Sequence, residues 1–394
     1  MKSRILIGFF VLSSLFNSCI TEFKANLPNT DEIILIVEGS ILENSSSVFY
    51  LSESFPLSVD NVQSEHYINN ATLYIIGSNG FKSQPSINLG NGTYQLSVGK
   101  FDSDVEYGIE ITYNGDIYQS ASSKPLLTPE IDSINWIQPQ SYGPVTFRVS
   151  TSDEKNGAKF FMWNFVEDWE TTAHYYTTVF YNPNTNSFTE EDPAPYYYCW
   201  KKFFSKTFII GSTESLRENK IINKPFYECT FFNDRFSELY CITVNQKAIS
   251  KGAFEYYQNK ILLNTQMGGL FTPQPSELAG NIICVSNPAK KAIGYIESLK
   301  NISQKRLFIN GGEVTFEDIY KCNIIEHSEV IAYIREMHMS LAQYCLWNGV
   351  MPAGGKDAMA PPITPLNWAP ERCTSCVRNG GTKNKPDFWP NNHK

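Results

Sequence analysis

Asn114-Gly115 separates two alternating runs, Tyr107–Tyr113 and Asp116–Ser120. Both turn residues tolerate positive φ, so the pair predicts a tight hairpin, and its register sets which side chains share a face. The neighbouring sequence repeats this design. Residues 33–37 form an apolar run, followed by Glu38 and ended at Gly39, and residues 47–52 alternate. Residues 71–76 run into Gly77-Ser78-Asn79-Gly80, and residues 94–98 follow Gly90-Asn91-Gly92. Six or seven short strands at this spacing predict an immunoglobulin-like β-sandwich over residues 32–122. This stretch offers no catalytic constellation.

Pro125 and Pro129 end that pattern. Strand-like runs restart at 131–136, 144–150 and 158–166, and a second β-rich domain, fibronectin type III-like, is expected over 123–325. Within it, residues 250–263 read as a helix. Phe254, Tyr257 and Ile261 fall on one face, with Ser250 placed to cap the first turn. Residues 329–344 are a weaker helical candidate. The fold class is therefore mainly β: two tandem sandwiches, the second with an inserted helix, followed by a C-terminal segment at 326–394. Aromatic residues make up 14% of the chain, and bulky rings favour sheets. The formal net charge is −8, with no basic run longer than two residues. Nucleic-acid binding is excluded on that ground, because neutralising phosphates needs clustered Lys and Arg.

The chain opens with Lys2 and Arg4 and an apolar run at 5–16, about the length of a signal-peptide core. That run is too short to span a bilayer, which takes roughly 20 apolar residues. Ser18-Cys19 then stands where small residues would mark an ordinary cleavage site, as in a bacterial lipobox, although Phe16 and Asn17 depart from that pattern. Residues 1–18 are thus expected to be a lipoprotein signal, Cys19 the lipidated residue and 19–31 a tether. The competing reading is a cleaved signal with Cys19 in a disulfide. The other eight cysteines, Cys199, Cys229, Cys241, Cys284, Cys322, Cys345, Cys373 and Cys376, all lie beyond residue 198. In an oxidising compartment they are candidate disulfide partners. Their pairing is open, since eight cysteines allow 105 connectivities.

Residues 160–204 are dense in aromatics. Tyr175-Tyr176 and Tyr196-Tyr197-Tyr198 put neighbours on opposite strand faces, so with Trp200 they form the candidate ligand or partner surface. The alternative is a large aromatic core. Catalytic patterns are few. Cys373-x-x-Cys376 reads first as structural disulfide cysteines, paired internally or elsewhere, then as a redox pair, and least as a zinc site with His393. His327 and His338 read as packed or surface histidines, and Glu190-Glu191-Asp192 as a solvated loop rather than a glycosidase pair. No enzyme activity, metal or cofactor is expected.

Several motifs resemble a Bacteroidota lipoprotein family known only as domain of unknown function 4249. They are Val37-Glu38-Gly39, Gly268-Gly269-Leu270-Phe271-Thr272-Pro273, Leu278-Ala279-Gly280-Asn281, Asn287-Pro288 and Gly294-Tyr295. At the end come Cys373-Thr374-Ser375-Cys376, Gly380-Gly381-Thr382 and Lys385-Pro386-Asp387-Phe388-Trp389. The resemblance runs from about residue 20 to the end. It implies a lipid-anchored protein of the outer membrane, facing the cell surface, with a TonB-dependent β-barrel receptor as partner. It implies no mechanism. By residue type, Gly268-Gly269 and Gly280-Asn281 would supply positive φ at turns, Cys373 and Cys376 would pin the tail, and Phe388 and Trp389 would dock as anchors. The expected role is a non-enzymatic binding or accessory subunit of such a complex; the alternative is a free-standing glycan- or peptide-binding module. Each buried CH₂ contributes about 0.8 kcal/mol, so Cys19→Ala should shift the protein from the membrane to the soluble fraction and abolish palmitate labelling. Retained labelling would refute lipidation at Cys19.

Overall fold

The computed structural model describes residues 33–54, 66–192, 194–230, 234–266, 278, 280–316, 322–354, 359–360, 364–365 and 367–391. The signal, Cys19, the tether, Gly268-Gly269 and His393 lie outside the described residues. The protein is mainly β, as its turn spacing predicts.

The first sandwich faces a five-stranded sheet against a four-stranded one. The first sheet runs in the order Ala292–Ile293, Leu35–Gly39, Ser45–Glu53, Thr93–Val98, Ile87–Gly90, and the second Ile282–Cys284, Asp116–Ser120, Tyr107–Tyr113, Thr72–Gly77. Alternation places Leu35, Val37, Phe49, Leu51, Leu73, Ile75, Tyr94, Ile109 and Ile111 in one core. The Asn114-Gly115 hairpin forms with Tyr113 opposite Asp116 and both turn residues at positive φ. The expected boundary near 122 does not contain this sandwich. Its two outer strands come from residues 282–293, and Ser298–Leu299 pairs in parallel with Ile41–Leu42. Two- and three-residue strands have too little periodicity to be seen as strands in the sequence, and only their partners define them.

The second sandwich packs Lys220–Cys229, Val145–Ser152 and Ile131–Ile137 against Tyr198–Phe204, Phe160–Thr172, Tyr240–Ala248 and Ser303–Ile309. Ile209–Ser212 pairs with the first residues of the long strand Phe160–Thr172. Helix Lys251–Gln266 follows, with Ser250 Oγ accepting the Ala253 N–H as the cap expected of it. Phe254 and Tyr257 pack with Phe160, Met162, Phe208 and Ile210. The candidate helix 329–344 proves to be two, His327–Glu336 and Leu341–Asn348. The break falls where His338 takes positive φ and Ser340 with Gln343 forms a capping box that starts a new helix. These helices pack with Trp368 and with Tyr181 and Phe188 of the hairpin Val179–Asn182/Ser187–Glu190.

Two disulfides tie this segment down, Cys199–Cys376 and Cys322–Cys373. Cys373 and Cys376 thus pair with distant cysteines and not with each other. Cys229, Cys241, Cys284 and Cys345 form no disulfide. The reason is positional: they are buried in four different apolar clusters, so no two of these thiols meet. Burial pushes the Cys241 and Cys345 thiols up to about 12.

Gly280 does not supply positive φ, contrary to expectation. It allows close approach: a Cβ there would lie 1.9 Å from the Gly294 carbonyl oxygen. Gly294 in turn abuts the Val37 carbonyl, so the returning chain lies directly on the first sandwich. Asn281 completes the seam, its amide bonding the Ile296 N–H at 2.9 Å and C=O at 2.8 Å. Gly280→Ala should therefore cost about 2 kcal/mol or more in urea unfolding, whereas Gly99→Ala, in open space, should change stability by under about 1 kcal/mol. Equal effects would disprove the close-approach role.

Candidate functional site

The aromatic stretch 160–204 is organised by a strand that is buried on both faces. Phe161, Trp163, Phe165 and Trp169 point into the second sandwich's core, while Phe160 and Met162 face the helix. Neighbouring rings on such a strand need no exposed face. Of the six candidate surface residues only Tyr176 is exposed, and it meets Tyr197 edge-on at 5.1 Å. Tyr175 donates its hydroxyl to the Cys322 carbonyl and packs beside Cys373. Tyr196 packs on Phe180 in a tilted ring contact at 4.5 Å, and its hydroxyl donates to Glu191. Tyr198 begins the strand that carries Cys199, and Trp200 exchanges backbone hydrogen bonds with Thr382. The expected surface is thus mostly packing against the C-terminal segment, whose residues the sequence does not place beside it.

Four carboxylates on and beside the long strand serve the same packing. Glu167 accepts from Tyr240 at 2.8 Å and from Arg235 at 3.2 Å. Burial raises its pKa despite these partners. Glu170 accepts the Trp389 indole N–H at 2.6 Å, and Arg306 lies over Phe388 at 4.1 Å, which docks the two rings as anchors. Burial also raises Asp168, with Lys202 at 3.4 Å. Asp234 accepts from Thr171, Lys201, Trp169 and Asn379. Burial alone would raise its pKa, but the hydrogen bonds from Lys201 and Thr171, with the Lys201 charge, outweigh it and hold the carboxyl below the usual aspartate value. His327 accepts the Trp368 N–H at 2.9 Å, and Asp192 bonds the Ala194 N–H in an exposed loop. Among the described residues no cluster of three or more His, Cys, Asp or Glu could hold a metal, and no helix is long and apolar enough to cross a membrane.

A cleft of about 440 Å³ opens where the first sandwich, the long strand and the helix meet. Val37, Ser40 and Val48 line one wall, and Tyr256, Tyr257 and Phe208 line the wall on the helix side. Lys247 lies opposite Met162 in register and bonds Ser40 Oγ at 3.3 Å. Burial lowers its pKa, an effect that nearby Glu297 partly offsets. Glu297 is itself buried and accepts the Ser250 N–H at 2.8 Å. Lys260 on the helix pairs with Glu38 of the first sandwich at 2.7 Å. Sequence analysis marks Val37 and Glu38 as part of a family motif and Tyr257 as part of the helix's packing face, but it assigns none of the cleft residues to a site. The alternation of 240–248 puts Lys247 on the Met162 face, but what that face meets depends on the return of distant chain. A larger apolar hollow of about 620 Å³ at the sandwich edge includes Leu278, next in sequence to residues outside the description.

These features define a tandem β-sandwich protein with an interdomain cleft, clamped at its C-terminus by disulfides. The chain belongs to the family described as Domain of unknown function (DUF4249), which matches residues 20–305. The Cys373-to-Trp389 motif lies beyond that match. A two fibronectin type III domain segment from chicken tenascin is similar over 53% of this chain and 88% of that one, at 10% identity and a TM-score of 0.15; that likeness is too low to bear on the arrangement. No curated protein matches the sequence.

Because the pKa of Asp234 is lowered, the stability it contributes is present above the ordinary aspartate value and lost as pH falls through its lower folded value. Wild type should therefore lose melting temperature below about pH 4, and Asp234→Asn should show a shallower acid-side loss from a lower plateau. Parallel curves would refute this role.

Proposed function

We propose that this chain is a lipid-anchored, surface-facing outer-membrane lipoprotein that works without catalysis, as a binding or accessory subunit of a TonB-dependent transporter or a similar complex. The observation that carries the binding role is the cleft between the sandwiches, since ligand sites favour such junctions and this one joins aromatic walls to a few polar groups. The titratable groups of the long strand support a non-catalytic reading, because they are spent on packing partners and the tail. The signal ending at Cys19, the polar tether and the family resemblance support the anchor and the company. A free-standing glycan or peptide binder using Tyr175, Tyr176, Tyr196, Tyr197, Tyr198 and Trp200 is less favoured, because five of these six are half-buried against other side chains or the C-terminal segment. Native protein purified in mild detergent should bring a β-barrel outer-membrane protein with it in near-stoichiometric amount. Recovery of the lipoprotein alone would sink the accessory role.

A further inference from the structure

The cleft holds a cation with unused bonding capacity. A lysine ammonium carries three N–H donors. Lys247 uses one, in the 3.3 Å bond to Ser40. Among the described residues no carboxylate lies within ion-pair distance of it. Its nearest electrostatic partner, Glu297, is committed to the Ser250 backbone. A desolvated ammonium left in this way is unfavourable, and an anion in the cleft would satisfy it. The second lysine, Lys260, is already engaged by Glu38, so the cleft offers one free positive centre and suits a single negative charge better than a dianion. Among the other lining groups, Val48, Met162, Phe208, Tyr257, Leu299 and Ile302 present apolar and aromatic surface to the rest of a ligand, beside polar Ser46, Ser47 and Asn164.

Resting on the reading of this cleft as the binding site, we propose that it takes a ligand with one carboxylate on an apolar or aromatic body, the carboxylate accepting hydrogen bonds from Lys247 Nζ. A volume of about 440 Å³ matches such a small molecule, or the C-terminal residues of a peptide. Lys247 supplies the charge selectivity, and the rings and aliphatic side chains supply the contact area.

The test uses the mature full-length chain, titrated calorimetrically with N-acetylphenylalanine, its carboxamide and decanoate. The acids should bind at least about tenfold more tightly than the carboxamide. Lys247→Met should keep the wild-type melting temperature or exceed it, since it removes a desolvated charge, and should lose the preference for the acids. Lys247→Gln serves in its place where the Met variant fails to fold. Equal binding of acid and carboxamide overturns the carboxylate inference while leaving the cleft a neutral binding site. No binding of any probe up to about 10 mM, or unchanged acid affinity in the folded Lys247 variants, also overturns it. Absence of a β-barrel from the native preparation bears on the accessory role alone.

Discussion

Burial of the strand Phe160–Thr172 on both faces is the constraint on which the rest of the structure depends. One face completes the core of the second sandwich through Phe161, Trp163, Phe165 and Trp169. The other face changes its partner along its length. Phe160 and Met162 meet the helix, whereas Asp168 and Glu170 meet Lys202 and Trp389. A strand in the middle of a sheet needs cover on both sides, and here the cover comes from chain far downstream. This explains why the segment after residue 322 is held so thoroughly, by two disulfides, by Trp389 on Glu170 and by Asn379 on Asp234. A loop-rich tail has little apolar surface of its own, and these contacts offset the entropy of ordering it.

The same logic joins the two sandwiches. Chain that leaves the second sandwich after Ala248 forms the helix, returns to supply outer strands to the first, and re-enters the second at Ser303. Among the described residues the first sandwich has no disulfide, and this excursion supplies one edge strand to each of its sheets. Close backbone approach at Gly280 and Gly294 leaves no space for side chains at the seam. The cleft follows from this arrangement. Its walls belong to the first sandwich, the long strand and the helix, and the Lys260–Glu38 pair joins two of them.

Local features were legible in the sequence wherever one residue type enforces a backbone state. The Asn114-Gly115 hairpin, the Ser250 cap and the alternation of the first sandwich's strands could all be read directly. Adjacent tyrosines misled, because alternation reports opposite faces and not whether each face is solvated. Tyr175, Tyr196 and Trp200 became packing residues once the tail was folded against them. The cysteines misled in the same way: an even count fits full pairing, yet four of the eight sit in separate clusters. The cleft was not legible at all, because Lys247, Tyr256 and Val48 come from three elements with no sequence relation.

The sequence by itself determined the class of fold, the family, the helix after Ser250 and the expectation of a lipid anchor at Cys19. Each of these rests on short-range chemistry: turn residues, period-2 alternation, a cap, a motif. The tertiary structure alone decided which strands close the first sandwich, which cysteines pair, which rings are covered and where a cleft opens. Those outcomes depend on contacts between residues 50 to more than 200 positions apart, such as Cys322 with Cys373 and Glu38 with Lys260. Such contacts are selected by the packing of whole faces, which no local pattern encodes.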